Sequence, residues 1–228
     1  LRTFRGAKLR SLPANVRQQG GGFLPCLTTK ILRIYSSRFN WYINIKRCST
    51  AASGMILQSG GDEMIHYYFG SGKGKTSAAV GACIRAAGNG LRCAAVQFLK
   101  NGTSGENVLL RRCGIDIFAC EFEGIRFFSQ MTDDERARII LSHNRNLCRV
   151  IAGQYQLLVL DELSDAVQKN AVDPELVSQV LALPETEIIV TGHRRAELFM
   201  QCADYITEFQ CIAHPFQKGQ AARKGIEY

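Results

Sequence analysis

Gly70-Ser71-Gly72-Lys73-Gly74-Lys75-Thr76 separates a short apolar and aromatic run, Ile65–Phe69, from an Ala-rich stretch, Thr76–Ala87, with Val80, Cys83 and Ile84 at helical spacing. A buried strand that ends at a glycine loop opening a helix is the context a P-loop requires. The spacing has a mechanical reason. Glycines let successive backbone N–H groups turn inward on phosphate oxygens, the helix N-terminus adds the positive end of its dipole, and Lys75 supplies a point charge. Thr76 is then placed to put its hydroxyl on Mg²⁺. The loop is a variant: the usual pattern has a glycine five residues before Gly74, where Phe69 stands, so that Gly70 is the first glycine. The competing explanation, a glycine turn meeting a helix by chance, needs strand, alternating glycines, Gly-Lys-Thr and helix to coincide.

Downstream, strands and helices alternate. Gly88-Asn89-Gly90 stops the first helix, and Arg92–Leu99 reads as the next strand. A polar loop, Asn101–Glu106, leads to a short helix through Arg112, and Ile115–Cys120 reads as a third strand. Thr132-Asp133-Asp134-Glu135 is a capping box opening a helix to about Ile151. Leu157–Leu160 is a strand, Asp173–Leu183 a helix, Glu187–Thr191 a strand, Arg195–Cys202 a helix, and Tyr205–Gln210 closes the series. Helices between apolar strands imply right-handed crossovers. The expected fold is α/β, P-loop NTPase-like (RecA-like), a mostly parallel sheet with helices on both faces.

Leu157-Leu158-Val159-Leu160-Asp161-Glu162 delivers two carboxylates at the C-terminal end of a strand, where ligands bind in such sheets. Carboxylates there hold Mg²⁺ directly or through water. The alternative is that Asp161 or Glu162 caps the following helix.

At 228 residues, 46% hydrophobic and 21% charged, the chain suits one globular domain, or a domain with an appendage. No run of 18 uncharged apolar residues is present, which excludes a protein embedded in a bilayer by such a span. Nine Cys, an odd number without a C-x-x-C pair, and four His fit neither a zinc site nor a fully paired disulfide framework. A reducing cytoplasm is the expected location. The net charge of +8 is local: residues 1–61 hold ten Lys/Arg and no Asp or Glu, leaving 18 Lys/Arg against 20 Asp/Glu in residues 62–228. The main body is not basic, and nucleic acid is not an expected partner. Residues 1–63 carry no sustained period and are left as an unassigned basic extension, expected to be disordered or upstream sequence from a misplaced gene start. Leu1 opens the chain, whereas Met64 directly precedes the first strand. A targeting segment, on the Arg-rich, acid-free composition, or a partner-binding arm are the alternatives. The domain is expected to span residues 64–228.

Five blocks, in order, resemble the P-loop corrinoid adenosyltransferases (ATP:cob(I)alamin or cobyrinic acid a,c-diamide adenosyltransferase). They are Gly70–Thr76, including its missing early glycine; Ala95-Val96-Gln97-Phe98-Leu99-Lys100 with Gly105-Glu106; Val159-Leu160-Asp161-Glu162-Leu163; Val190-Thr191-Gly192; and His214-Pro215-Phe216 followed by Lys218-Gly219 and Ala222–Tyr228. The resemblance implies transfer of the 5′-deoxyadenosyl group of ATP to the cobalt of a reduced corrinoid, releasing triphosphate, in adenosylcobalamin synthesis or salvage. Cob(I) is itself a strong nucleophile, so no Ser, Cys or His nucleophile is needed. The leaving triphosphate needs a cradle of N–H donors, lysine and Mg²⁺. On this reading Gly70, Ser71, Gly72, Lys73, Gly74, Lys75 and Thr76 hold the ATP triphosphate, Lys75 and Glu162 are catalytic, and Thr76, Asp161 and Glu162 hold Mg²⁺. The family binds ATP reversed relative to P-loop hydrolases, so hydrolase roles do not transfer to Lys73 and Lys75. A homodimer and a flavoprotein reductant are the partners it implies.

Two departures stand out. A Phe-Thr-Trp-like segment that approaches the corrin is here Arg126-Phe127-Phe128-Ser129-Gln130-Met131. Phe127 matches, the Trp position holds Ser129, and Phe128 either substitutes for it or belongs to the core. The Arg that often follows Thr-Gly is His193, expected to be a loop residue, with Arg194 or Arg195 neutralising phosphate charge instead. The runner-up function is a RecA-like ATPase or kinase, which needs a base or water-positioning residue for which only Glu162 offers itself. A non-catalytic ATP-sensing module is disfavoured by the retention of Thr76, Asp161 and Glu162.

Overall fold

The structure, a computed structural model, describes residues 63–120 and 128–226. The expectations for residues 1–62 and for Phe127 lie outside the described residues. Six strands form one sheet: β1 (Ile65–Phe69), β2 (Cys93–Gln97), β3 (Asp116–Phe118), β4 (Leu157–Asp161), β5 (Glu187–Gly192) and β6 (Tyr205–Glu208). Their spatial order is β3-β2-β4-β5-β1-β6, and every pairing is parallel. Six helices connect them: α1 (Lys75–Gly88), α2 (Glu106–Arg112), α3 (Asp133–Ala152), α4 (Leu163–Gln168), α5 (Pro174–Leu181) and α6 (Glu197–Cys202).

The unbroken apolar runs of the central strands follow from this topology. Successive residues of a strand point to opposite faces, so a sheet covered on both sides demands apolar side chains at every position. In β4, Leu158 and Leu160 join one core with residues of α3, α5 and α6, whereas Leu157 and Val159 join a second with Ala79 and Cys83 of α1 and Leu110 of α2. Strand β1 is polar on the second face only, where His66 bonds Glu187 at 2.5 Å.

The capping box predicted at Thr132 is present: its hydroxyl accepts from Glu135 N–H while the Glu135 carboxylate accepts from Thr132 N–H. Helix α4 goes unassigned in the sequence reading, and α6 starts at Glu197 rather than Arg195. Among the described residues, no helix is long and apolar enough to cross a membrane.

Candidate active site

The carboxyl ends of β1, β4 and β5 meet at one level of the sheet, with β5 between the glycine-loop strand and the acidic strand. Gly192 at the end of β5 pairs with Phe69 at the end of β1. Four chain segments leave this edge, and each contributes to one cluster.

The first is the glycine loop. Gly70 and Gly72 are glycine because the chain leaving β6 lies against them: a Cβ on Gly70, whose φ is +117°, would sit 2.3 Å from the Phe209 carbonyl oxygen, and one on Gly72 2.8 Å from the Phe209 and Gln210 backbone. Gly72 N–H donates to Phe209 O at 2.7 Å. That amide is thus taken up by the chain leaving β6, whereas the expected cradle has successive N–H groups turned inward. The Lys75 ammonium is folded back, donating to the carbonyls of Gly70 and Gly72 at 2.8 Å each. Burial lowers its pKa, opposed by Asp165, Glu162 and Asp161. Ser71 and Lys73 are exposed at the loop's tip.

The second segment is the acidic end of β4. Asp161 is 1% exposed. Its Oδ1 accepts from the Thr76 and Thr191 hydroxyls at 2.8 Å each, and its Oδ2 accepts from Lys100 at 2.6 Å. Glu162 occupies the N-cap position of α4 with φ +61° but makes no side-chain cap bond. Its Oε1 lies 3.1 Å from the Lys100 ammonium, and its N–H donates to Thr191 Oγ1. The capping alternative for this carboxylate is therefore not realised. Of Thr76, Asp161 and Glu162, expected as a set from separate motifs, Thr76 and Asp161 are in direct contact and Glu162 is joined to Asp161 through Lys100.

The third segment leaves β2. Lys100 follows Leu99, whose φ is +57°, and the Leu99 N–H donates to His143 Nε2 at 3.1 Å. His143 is fully buried and donates from Nδ1 to Ala171 O, so its tautomer is set from both sides. Burial pushes its pKa down to about 4, against the opposing bond to Ala171. The imidazole is a neutral bolt between α3 and the chain that carries Lys100.

The fourth segment follows β5. His193 donates to Asp165 Oδ2 from its backbone N–H at 2.9 Å, and its Nδ1 lies 3.0 Å from the same oxygen. That bond raises the His193 pKa against the effect of burial. Ligand atoms of Glu162, Asp165 and His193 all lie within 4.8 Å of one another, a set able to hold a cation. His193 lies in the loop after β5 and is tied there to Asp165. Tyr67 organises the same loop: its hydroxyl donates to Arg194 O at 2.8 Å and accepts from Ala196 N–H at 3.1 Å. The Arg194 side chain is exposed. A Cβ on Gly192 would meet Ser164 Cβ at 2.4 Å, so the Thr191-Gly192 pair serves two ends: a hydroxyl for Asp161 and room for α4.

Phe128 begins a 3₁₀ turn, Phe128–Gln130, and packs half-buried against two core clusters with the Arg136 guanidinium over its ring. Burial pushes the Cys83 thiol up to about 12, where a thiolate nucleophile is out of reach.

Glycine loop, Lys75, Thr76 and buried Asp161 at the carboxyl edge of a parallel sheet are the working parts of a P-loop NTPase-like domain. Comparison with known proteins narrows this class. Residues 61–228 match the family model for the ATP:corrinoid adenosyltransferase BtuR/CobO/CobP, and the chain belongs to that family. A corrinoid adenosyltransferase of Sinorhizobium sp. is 29% identical over 197 residues, covering 78% of this chain and 87% of its own. Those of Pseudomonas aeruginosa (30%, covering 70% and 80%) and Escherichia coli K12 (32%, covering 72% and 85%) are similar. The protein is an ATP-dependent transferase acting on a corrinoid, and the ATPase or kinase alternative is not favoured.

Proposed function

We propose that the described cluster carries out transfer of the 5′-deoxyadenosyl group from ATP to the cobalt of a reduced corrinoid, with all three phosphates leaving as one. The observation that carries this assignment is the convergence of Lys75, Lys100, Thr76, Asp161 and Glu162 on one edge of the sheet, which gathers charge for a polyanion. Glu162, the base that the sequence offers to an ATPase or kinase, is engaged by the Lys100 ammonium.

The chain's own residues bind and orient. Backbone amides of the Gly70–Thr76 loop other than that of Gly72, which is held by Phe209 O, and the N-terminus of α1 are assigned to the triphosphate, and Lys75 leaves its loop carbonyls to meet it. Ribose C5′ is thereby held for an attacking metal centre, and charge growing on the leaving oxygen is met by donors already in place. Thr76, Asp161 and Glu162 form an all-oxygen donor set that fits Mg²⁺, a hard cation. Bound there, Mg²⁺ supplies Lewis-acid neutralisation of the triphosphate. Arg194 stands at the rim as a further cation, and Phe127 with Phe128 are assigned to the corrinoid side. A homodimer, a flavoprotein electron donor and a cytoplasmic setting complete the proposal.

The test is an anoxic assay of the full chain with Mg·ATP and chemically reduced cobalamin. Conversion of the corrin absorbance to that of a light-sensitive alkylcobalamin supports the assignment; no ATP-dependent change overturns it.

A further inference from the structure

The oxygen set that would receive a divalent cation already holds a cation of the protein's own. The Lys100 ammonium sits 2.6 Å from Asp161 Oδ2 and 3.1 Å from Glu162 Oε1, closing the gap between two consecutive carboxylates at the end of β4. Two adjacent acids, one of them 1% exposed, are costly to keep ionised without a counter-charge. Lys100 supplies it, and the acids in turn raise its pKa against the effect of burial. The lysine is aimed by its own scaffold: Leu99 in the left-handed region, its N–H held by buried His143, and Lys100 O accepting from Cys120 N–H at 3.3 Å.

We propose that Lys100 is the resident counter-ion of the Asp161–Glu162 pair and exchanges places with the divalent cation that accompanies ATP. Lys100 is then a positioning residue. In the nucleotide-free enzyme it bridges the two carboxylates while Asp161 accepts from Thr76, and on nucleotide binding its released ammonium faces the triphosphate. The exchange follows from simple competition. A divalent cation and an ammonium cannot occupy the same two oxygens, and the arriving polyphosphate offers the displaced ammonium new acceptors. The proposal rests on the reading of Asp161 and Glu162 as the cation's carboxylates.

The experiment is Mn²⁺ titration of the full chain, followed by electron paramagnetic resonance of free Mn²⁺, with and without ATP. Wild type, Lys100→Gln, Lys100→Met and Glu162→Gln are compared, and thermal melts establish that each is folded. Lys100→Gln keeps a neutral donor for Asp161. Removing a merely structural lysine weakens cation binding; removing a competitor strengthens it. Nucleotide-free Mn²⁺ affinity is therefore expected to rise about tenfold or more in both Lys100 variants, since buried Asp161 and half-buried Glu162 have lost the ammonium that bridges them. Unchanged or weaker affinity overturns the proposal. Should neither variant fold, wild type carries the test. Acetylation of Lys100 by acetic anhydride, read by mass spectrometry, is expected to speed up when Mn²⁺ alone saturates the site; a constant rate overturns the exchange. The Glu162→Gln arm separates the two levels. If it leaves Mn²⁺·ATP binding intact, the carboxylate reading itself fails. If it abolishes binding while the Lys100 variants show no gain, only the exchange fails.

Discussion

Lys75 and Glu162 act on a polyanion whose charge grows as the C5′–O bond breaks. Removing one such preorganised stabiliser commonly costs roughly 3–4 kcal/mol of transition-state binding, about 10²–10³ in rate. Lys75→Ala is expected to lose turnover by that factor with its fold intact, and Glu162→Gln to shift the Mg²⁺ dependence of the rate to higher concentration; a Lys75→Ala enzyme within threefold of wild type removes the glycine loop from the mechanism. His143 makes a different prediction. In the folded chain its pKa is held down at about 4, against 6.5 for a solvated imidazole, so between those values the unfolded chain takes up a proton that the folded chain refuses. Stability is full above pH 6.5 and is lost as pH falls toward 4, by about 3 kcal/mol in total, where the loss levels off. Melts from pH 7.5 to 4.5 are expected to show this loss in wild type and a smaller one in His143→Gln. Lys75, Thr76 and Asp161 are legible in the sequence because each belongs to a motif with a local reason. Lys100, His143 and the His193–Asp165 pair are not. Their partners are 61, 44 and 28 residues away, and their meeting depends on a left-handed Leu99 and on loop paths that no periodicity encodes.

At the level of elements, the long helix and buried strands were readable from caps and apolar runs, and α4 was not. Leu163–Gln168 has six residues, too few for two turns of pattern; its first four are buried, so it shows no polar face, and it begins at a Glu in the left-handed region rather than at a Ser, Thr or Asp cap. The junction of the glycine loop with the chain leaving β6 was equally hidden, because the sequence signals of a P-loop do not tell what lies behind it. Phe209 donates its N–H to Phe69 O and accepts from Gly72, so the C-terminal strand braces the loop. Gly72→Ala forces a Cβ to within 2.8 Å of that backbone, and overpacking of this kind costs roughly 1–3 kcal/mol. The expected outcome is a lower melting temperature together with weaker ATP binding in calorimetry. Wild-type values for both would show that the junction yields freely.

For the whole molecule, the alternation of elements announced a parallel α/β sheet, while the order of the strands, with β5 inserted between β1 and β4, is set by crossover packing and had to be seen. Among the described residues, the first hydrogen bond into the sheet is from Met64 N–H to Glu187 at 2.7 Å. A chain beginning at Met64 is therefore expected to melt at the temperature of the full chain and to turn over at the same rate; an insoluble or inactive product would give residues 1–63 a role in the domain. The central claim, that cobalt attacks C5′ and the phosphates leave together, is tested most directly by product analysis. Anion chromatography of an anoxic reaction of Mg·ATP with reduced cobalamin should yield inorganic triphosphate in equal amount to light-sensitive adenosylcobalamin. ADP formed independently of the corrinoid would contradict the account.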